Sequence, residues 1–340
     1  MRWLLRLALL TILAAGVAAA AAWWWLNRPL PLAGPAAEVS IEAGQSPRRV
    51  AELWVEAGVQ VPPSLLYEWF RWSGQSRLIR AGSYEVERGV TPRQLLDRMV
   101  RGDEVLETVR LAEGHTFAQV RIALAAAPSL KPITQALSDQ QLMAALGEPA
   151  LAPEGRFFPD TYAYSRGVSD LTVLKRAHAA MQRRLITVWA ERADDLPLKT
   201  MDEALILASI VEKETGRDAD RADVAGVFIN RLRIGMPLQT DPTVIYGLGA
   251  AFDGNLRKRD LLADTPYNTY TRGGLPPTPI AMPGAASLRA AVRPAKTRAL
   301  YFVARSDGGG GSVFSETLAD HNRAVNQFQR GGKAPPQRAK

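Results

Sequence analysis

The sequence contains no cysteine and only three histidines among its 340 residues. Without cysteine there can be no disulfide framework, no thiolate metal site and no cysteine nucleophile. The absence of cysteine does not decide the compartment. His115, His178 and His321 stand far apart in the sequence, so we predict no metal cluster and no cofactor. His178 lies in the middle of a predicted helix, where we expect a surface or packing residue.

The sequence also lacks a concentrated stripe of positive charge. The net charge is +8, which favours an anionic partner or an ordinary solvated basic surface. The arginines are spread over the whole chain, and this distribution argues against a nucleic-acid partner.

The N-terminus carries an uncharged run from Leu7 to Leu26, preceded by Arg2 and Arg6. About 20 apolar residues in a helix span the hydrocarbon core of a bilayer. Tryptophans at 23–25 close the run, where indole rings suit the headgroup boundary. We therefore predict a cytoplasmic segment at 1–6, a transmembrane helix at 7–26 and export of the remainder. A cleaved signal peptide is the alternative, because the alanine-rich run contains many small-x-small sites.

Residues 27–38 are rich in proline and alanine and are predicted to form an extended linker. Residues 39–108 have the pattern of a small α/β module that resembles a LysM module. It has a helix with Ser46 as N-cap and Pro47 at its first position, a second helix at 63–72, and a third that begins at Thr91. Such modules bind polymers that contain N-acetylglucosamine; a spacer without sugar affinity is the alternative.

Residues 109–330 alternate strands and helices without internal repeats, so we predict an α+β fold for the larger part of the chain. A long helix should begin after Ser169, and "ALYFVARSDGGGGSVFS" predicts a hairpin with a glycine-rich turn. The tail at 331–340 is predicted to be disordered.

The segment "LILASIVEKETG", residues 205–216, predicts a buried helix, because residues 204–211 are apolar nearly all round. We expect Asp202 to cap this helix and Gly216 to end it in the left-handed conformation. Glu212 and Glu214 are separated by about 200° of helical rotation, so they cannot face each other as an acid/base pair.

Glu214 is the better candidate for chemistry, because the C-terminal end of a helix disfavours a carboxylate and should raise its pKa. A general acid needs such a raised pKa. Glu212 is then a structural or secondary acid. From the helix alone, two ordinary solvated acids remain the alternative.

Aromatic, amide and carboxylate side chains that suit sugar rings occur in three further segments, "GRFFPDTYAY", "LQTDPTVIYG" and "TPYNTYTRGGLPPTPIAMPG". We interpret all three as loops. The candidate substrate-binding residues are Phe158, Asp160, Gln239, Thr240, Asp241, Tyr246, Asn268 and Tyr270.

The motifs "ASIVEKETG", "VFINRLRIGMPLQTDPTVIYG", "TPYNTYTRGGLPPTPI" and "FFPDTYAY" strongly resemble the endolytic murein transglycosylase (YceG-like) family. The resemblance implies a single-pass inner-membrane protein with its catalytic part in the periplasm. It implies cleavage of nascent peptidoglycan strands between N-acetylmuramic acid and N-acetylglucosamine, which leaves 1,6-anhydro ends and terminates elongation. Peptidoglycan strands, the inner membrane and the wall-synthesis machinery are the implied partners. The family's catalytic glutamate falls on Glu214, whereas Ser312 stands where relatives often have histidine.

One carboxyl group can serve this reaction, first as acid and then as base, because the muramyl 6-hydroxyl is the nucleophile. A muramidase-type hydrolase would need a second carboxylate, for which Asp241 and Asp160 are candidates. A non-enzymatic peptidoglycan-binding scaffold is the alternative from another class.

Overall fold

The computed structural model describes residues 2–306 and 311–329, so the predicted tail at 331–340 lies outside the described residues. The chain forms two compact units. The first comprises the described residues up to Thr108 together with Pro128–Lys131 and Ala163–Val168, and the second comprises the others. Helices and two-stranded sheets occur in one chain, which confirms the mixed α+β class.

The first unit contains an N-terminal helix followed by a small α/β arrangement. Its elements are α1 (Arg2–Leu26), β1 (Ala36–Ile41), α2 (Pro47–Glu56), α3 (Pro63–Trp72), β2 (Gly82–Glu87) and α4 (Pro92–Arg101). Strands β1 and β2 pair antiparallel, with Val39 opposite Tyr84. The helices and strands bury one apolar cluster centred on Trp54, Phe70 and Tyr84.

The helix ends of this unit follow the predicted capping residues. The Ser46 hydroxyl accepts a hydrogen bond from the Arg49 N–H, with Pro47 at the first helical position. Thr91 forms a capping box with Gln94, and Gly102 ends α4 in the left-handed region at φ 78°. These predicted helices are confirmed; the resemblance to a LysM module stays a prediction.

Helix α1 is long and apolar enough to cross a membrane. Its candidate span, Arg6–Leu26, has 21 residues and a mean hydropathy of 2.0, and none of its most apolar window is buried. The helix is continuous from Arg2, so the predicted segment at 1–6 is not separate from it in structure.

The second unit is mostly helical. Its helices are α5 (Phe117–Ala125), α6 (Asp139–Ala145), α7 (Asp170–Ala190), α8 (Met201–Glu214), α9 (Asp218–Arg233), α10 (Asp241–Leu248), α11 (Lys258–Leu262), α12 (Ala285–Val292) and α13 (Leu318–Phe328). Strands β5 (Tyr301–Ala304) and β6 (Ser312–Ser315) form its sheet. Strands β3 (Leu106–Arg110) and β4 (Thr161–Ser165) form another sheet, and the boundary between the two units runs through both strands.

Helix α8 is the centre of this unit. Residues 204–211 are all buried, as their composition predicts. The helix packs against α7, α9, α10 and α12. Its one polar core residue, Ser209, donates to the Ile206 carbonyl at 2.7 Å and accepts from the Ile280 N–H at 3.0 Å. The hydroxyl is therefore satisfied inside the core.

Helix α8 ends at Glu214, close to Gly216 as predicted, but the predicted N-cap and the predicted left-handed conformation of Gly216 are both wrong. Thr200, not Asp202, is the N-cap and accepts from the Glu203 N–H. The Asp202 carboxylate is instead paired with Arg156 at 2.6 Å. At the other end, the chain leaves through Thr215 in an extended conformation. Gly216 does not have a positive φ.

Two segments that were predicted as loops are regular structure. "DPTVIYGL" forms α10, with proline in its first turn, where a missing N–H costs no helical hydrogen bond. "TYAYS" forms β4, which buries Tyr162 and Tyr164 on one face. The predicted antiparallel pairing of β5 and β6 is confirmed, with Phe302 opposite Phe314, whereas residues 307–310 of the predicted glycine-rich turn lie outside the described residues. His178 is buried and packs on Phe157 at 6.1 Å.

Candidate active site

Glu214 is the last residue of α8, and its carboxylate faces the segment that leads into α10. The Thr240 hydroxyl donates a hydrogen bond to Glu214 Oε1. The last turn of α8 thus lies beside the "QTDPT" segment, as expected if Glu214 faces the predicted sugar-binding residues.

A buried network of hydroxyl groups fixes the orientation of Thr240. The Thr240 N–H donates to Thr269 Oγ1 at 3.0 Å. The Thr243 hydroxyl donates to the Thr240 carbonyl at 2.8 Å and lies 2.9 Å from Thr269 Oγ1. All three threonines are buried, so the hydroxyl beside Glu214 is held by the protein and not by solvent.

The residue before Thr240 has an unusual backbone. Gln239 has φ 47°, in the left-handed region that non-glycine residues rarely adopt. Its N–H donates to the Thr269 carbonyl at 3.0 Å, which ties this turn to the 269 segment. Such backbone strain is concentrated at functional sites.

Burial raises the pKa of Glu214, and the negative charge of Asp241 raises it further. The hydrogen bond from Thr240 and the positive charge of Arg231 act in the opposite direction and lower this pKa. The raised pKa agrees with the prediction, but its main cause is desolvation and not the helix end. A carboxyl group in this state retains its proton to a higher pH than an exposed glutamate does.

Glu212 points away from Glu214. One oxygen accepts from the Gly284 N–H at 2.9 Å, at the N-terminus of α12, and the other from Arg221 at 3.3 Å. The Glu212 and Arg221 side chains are 6% and 7% exposed. Glu212 is therefore a buried carboxylate that caps one helix and pairs with a cation from another.

Arg231, on α9, has a buried guanidinium group that holds backbone carbonyls. It donates to the carbonyls of Leu300 and Leu238, each at 2.7 Å. These bonds connect α9 to the start of β5 and to the segment before Gln239. Burial lowers the pKa of Arg231, and the residue lies on the same cleft as Glu214.

The cleft has a volume of about 560 Å³. Its lining includes the polar groups Glu214, Arg231, Gln239, Asp241 and Tyr270, and the Tyr270 hydroxyl donates to Asp241 at 2.5 Å. The lining also includes residues of β5, β6 and α13, among them Tyr301, Phe302, Ser312, Leu318 and His321. Such a mixture of aromatic faces and polar groups suits a carbohydrate chain.

The structure brings together half of the candidate substrate-binding residues. Gln239, Asp241 and Tyr270 line the cleft with Glu214, and Thr240 is buried directly beside it. Of the two candidate second carboxylates, only Asp241 is on the cleft.

The other four candidates lie outside the lining of this cleft. Phe158 is buried, with the Arg184 guanidinium 3.9 Å from its ring centre. Asp160 is exposed and bonds the Thr161 N–H at 2.8 Å. The Asn268 amide donates to three carbonyls of the 260–263 segment. The Tyr246 hydroxyl donates to the buried Glu154 carboxylate at 3.1 Å.

Sequence reasoning missed Arg231, Tyr301 and His321. Arg231 carried a signal, because it falls on the apolar face of α9 at i+3 and i+4 from Phe228 and Val227. His321 stacks on Tyr301 with ring centres 5.3 Å apart, and burial lowers the pKa of this histidine. Tyr301 and His321 carried no signal in the sequence, since β5 and α13 reach the cleft only through the tertiary fold.

Within the described residues, no group of three histidine, aspartate or glutamate side chains is arranged to hold a metal ion.

Known proteins are similar to this chain in sequence, and one solved structure is similar in fold. An "Endolytic murein transglycosylase" from Bacillus subtilis is 30% identical over 307 residues, which cover 85% of this chain and 84% of that protein. A protein of the same name from Streptococcus pneumoniae is 27% identical, and the match covers 84% of this chain but 57% of that longer protein. The crystal structure of a yceG-like protein from Listeria monocytogenes matches 85% of this chain with a TM-score of 0.56 and 29% identity.

The model of the YceG-like family matches residues 39–327, a range that includes α8, the "QTDPT" segment, the β5–β6 hairpin and nearly all of α13. The chain belongs to the YceG-like family.

Proposed function

We propose that this protein is a membrane-anchored endolytic lytic transglycosylase that cleaves peptidoglycan between N-acetylmuramic acid and N-acetylglucosamine. The observation that carries the proposal is Glu214 itself. It is a carboxyl group of raised pKa, at the end of a buried helix, in a cleft that suits a glycan. The names of the relatives support murein as the substrate class.

The reaction begins with protonated Glu214, which donates its proton to the glycosidic oxygen as the bond from C1 of the muramyl residue breaks. The N-acetylglucosamine part leaves with a free hydroxyl group. The Glu214 carboxylate then accepts the proton of the muramyl 6-hydroxyl while that oxygen bonds to C1. The product is a 1,6-anhydro ring, and Glu214 regains its proton without consumption of water.

Thr240 and Arg231 tune this cycle. The Thr240 hydroxyl binds Oε1, and among the described residues no side chain donates to Oε2, which is left for the glycan. The hydrogen bond and the arginine charge stabilise the carboxylate that exists between the two proton transfers. Burial raises the pKa of Glu214 and so favours its protonated form.

The anchor follows from α1. Arg2 and Arg6 before the apolar run favour a cytoplasmic N-terminus, because positive residues stay on that side. The catalytic unit is then exported to the periplasm, where the glycan strands are made available. An inner-membrane location fits a nascent, still membrane-associated strand.

The decisive test is Glu214→Gln in the full chain, with un-crosslinked glycan strands as substrate. We expect cleavage to fall by about 10²–10⁴-fold, which is the usual contribution of a general acid. Glu203→Gln, the same change at the exposed start of α8, is the matched control and should cleave at the native rate. Native cleavage by Glu214→Gln would contradict the assignment. A wild-type protein that binds glycan without cleaving it would identify a scaffold.

A hydrolase with Asp241 as second carboxylate is the second candidate, because Asp241 lines the same cleft and its charge influences Glu214. Mass spectrometry of the products separates the two reactions, since the 1,6-anhydro end is lighter than the hydrolytic end by one water. We expect anhydro ends from both the wild type and Asp241→Asn. Hydrolytic ends that disappear in Asp241→Asn would establish the hydrolase instead.

A further inference from the structure

Helix α3 exposes large apolar side chains although its opposite face is in the core. Leu66 and Phe70 are fully buried, whereas Leu65 is 41% and Trp72 77% exposed. Leu65, Trp69 and Trp72 have the i, i+4, i+7 spacing of one helical face. Trp69, between the two exposed residues, is half-buried and donates its indole N–H to the Pro92 carbonyl at 3.0 Å. An exposed apolar surface of this kind marks a contact with a partner or a membrane.

This face of α3 forms one wall of a groove of about 460 Å³, and the end of α1 forms the other. Both helices belong to the first unit. The groove is lined by Ala21, Ala22, Trp25, Leu26, Leu65, Glu68, Trp69 and Trp72. Glu68 is the one charged residue among these, and it accepts from the Trp72 indole N–H at 3.1 Å.

The position of this groove along α1 identifies its occupant. Residues 21–26 of α1 are the last of the apolar span, and at 1.5 Å per residue they cover about 8 Å of its roughly 30 Å. A side chain that contacts these residues therefore lies at the depth where acyl chains meet headgroups. Helices that lie in this layer bury an apolar face by about 5–10 Å.

Two cations lie beside the same layer. The Arg28 guanidinium lies 4.3 Å from the Trp24 ring centre, just beyond the apolar run. Arg71, next to Trp72 on α3, lies 5.6 Å from that ring centre; it also pairs with Glu68 at 3.3 Å, and its side chain stays 58% exposed. Exposed arginines next to tryptophans match the phosphate groups of lipids at this boundary.

We propose that α3 is a second membrane contact: its face formed by Leu65, Trp69 and Trp72 lies in the lipid–water boundary of the leaflet in which α1 ends, with lipid chains filling the groove beside Trp25. The proposal rests on the anchoring role of α1 in the proposed function. The first unit then contacts the membrane through α3, in addition to any sugar polymer that the predicted LysM-like module binds.

The chain has no cysteine, so single cysteines allow site-specific labelling of the full-length protein. Trp72→Cys and Leu65→Cys, each carrying the fluorophore NBD, report on the α3 face. Leu13→Cys, in the middle of α1, reports on the anchor. Arg48→Cys is the water-exposed control, because the Arg48 side chain is 77% exposed. Arg48 lies in the first turn of α2, at the opposite end of that helix from Gly58, whose carbonyl accepts from the Ala33 N–H.

The proteins are reconstituted in vesicles of phosphatidylcholine and phosphatidylglycerol, with and without lipids that carry a doxyl quencher on the acyl chain. We expect the labels at positions 13, 65 and 72 to lose most of their emission with the quencher, and the label at 48 to retain it. The glycan-cleavage activity of each labelled protein is measured first. We expect native activity from the variants at Trp72 and Leu65, because neither residue is on the catalytic cleft.

Quenching at 13 but at neither 65 nor 72 would overturn the proposal for α3 and leave the anchor intact. A blue-shifted emission at 72 without quenching would also overturn it, since a protein partner or a second copy would then cover the face. Loss of quenching at 13 would contradict the anchor in the proposed function.

Discussion

Glu214 experiences two opposing influences at the scale of single residues. Burial and the charge of Asp241 favour its protonated form, whereas the Thr240 hydroxyl and Arg231 favour its carboxylate. A group that must first give up a proton and then accept one benefits from this balance. The pH dependence of cleavage should therefore respond to the single hydroxyl of Thr240.

Thr240→Val removes the hydrogen bond that lowers the pKa of Glu214, so this pKa should rise further. Because cleavage requires the protonated acid, activity falls as the pH rises through this pKa. We expect the basic limb of the kcat/KM profile to move upward by about one pH unit, the size expected for one hydrogen bond to a charged group. Thr240→Ser, which retains the hydroxyl, should keep the native profile. A downward shift in Thr240→Val would contradict this account.

At the scale of elements, the last turn of α8 is held from two sides. Glu212 binds the N-terminus of α12 and Arg221 of α9, while Glu214 binds Thr240 at the start of α10. Glu212 therefore fixes the turn that presents Glu214, the proposed catalytic residue.

Glu212→Ala should lower the free energy of unfolding of the second unit by about 3 kcal/mol, because it leaves the buried Arg221 without this carboxylate and α12 without its cap. Lys213→Ala, a change of an exposed side chain on the same turn, should alter it by less than about 0.5 kcal/mol. Chemical denaturation of both variants, monitored by circular dichroism, checks the comparison. Equal losses in the two variants would show that Glu212 has no special structural role.

Much of this element structure could be predicted from local pattern, and the failures have physical causes. The burial of α8 follows from its unbroken apolar composition. Asp202 does not cap α8, because Arg156, which is 46 residues away in the sequence, binds its carboxylate. The segment of β4 is a strand and not the predicted loop: Tyr162 and Tyr164 alternate with exposed or half-buried neighbours, which is the period of a strand.

At the scale of the whole molecule, the second unit contains a buried carboxyl group that the proposed reaction does not use. Glu154 is 6% exposed and accepts from the Phe117 N–H, at the start of α5, and from the Tyr246 hydroxyl. Desolvation raises its pKa to about 7. A carboxyl group whose pKa is raised by folding stabilises the protein at low pH, and this contribution is lost as the pH rises.

Between the ordinary pKa of 4.5 and the folded value of about 7, Glu154 should remove stability on the order of 3 kcal/mol as the pH rises. Glu154→Gln removes this titration, so it should be more stable than the wild type at pH values above about 7. The exposed Glu191→Gln is the control and should retain the wild-type dependence. Denaturant unfolding across this pH range checks it, and a Glu154→Gln curve parallel to that of the wild type would contradict the assignment.

The assembly of the cleft is the part of the site that the sequence could not supply. Recognisable motifs within residues 214–270 contain Glu214, Gln239, Asp241 and Tyr270. The rest of the lining comes from segments that begin about 90 residues after Glu214. Tyr301 and His321 reach the cleft only because the β5–β6 hairpin and α13 pack beside it. Asn268 and Tyr246 have sugar-compatible chemistry, but their polar groups are already used within the protein.

The two-residue spacing of Glu212 and Glu214 also constrains the length of α8. One inserted residue anywhere between Ala204 and Val211 would rotate the last turn by about 100° relative to the rest of the helix. Both carboxylates would then leave their partners at once, and Val211 and Lys213 would be carried to the positions now held by the two acids. The helix can therefore accept substitutions on its buried faces more readily than any change in the number of its residues.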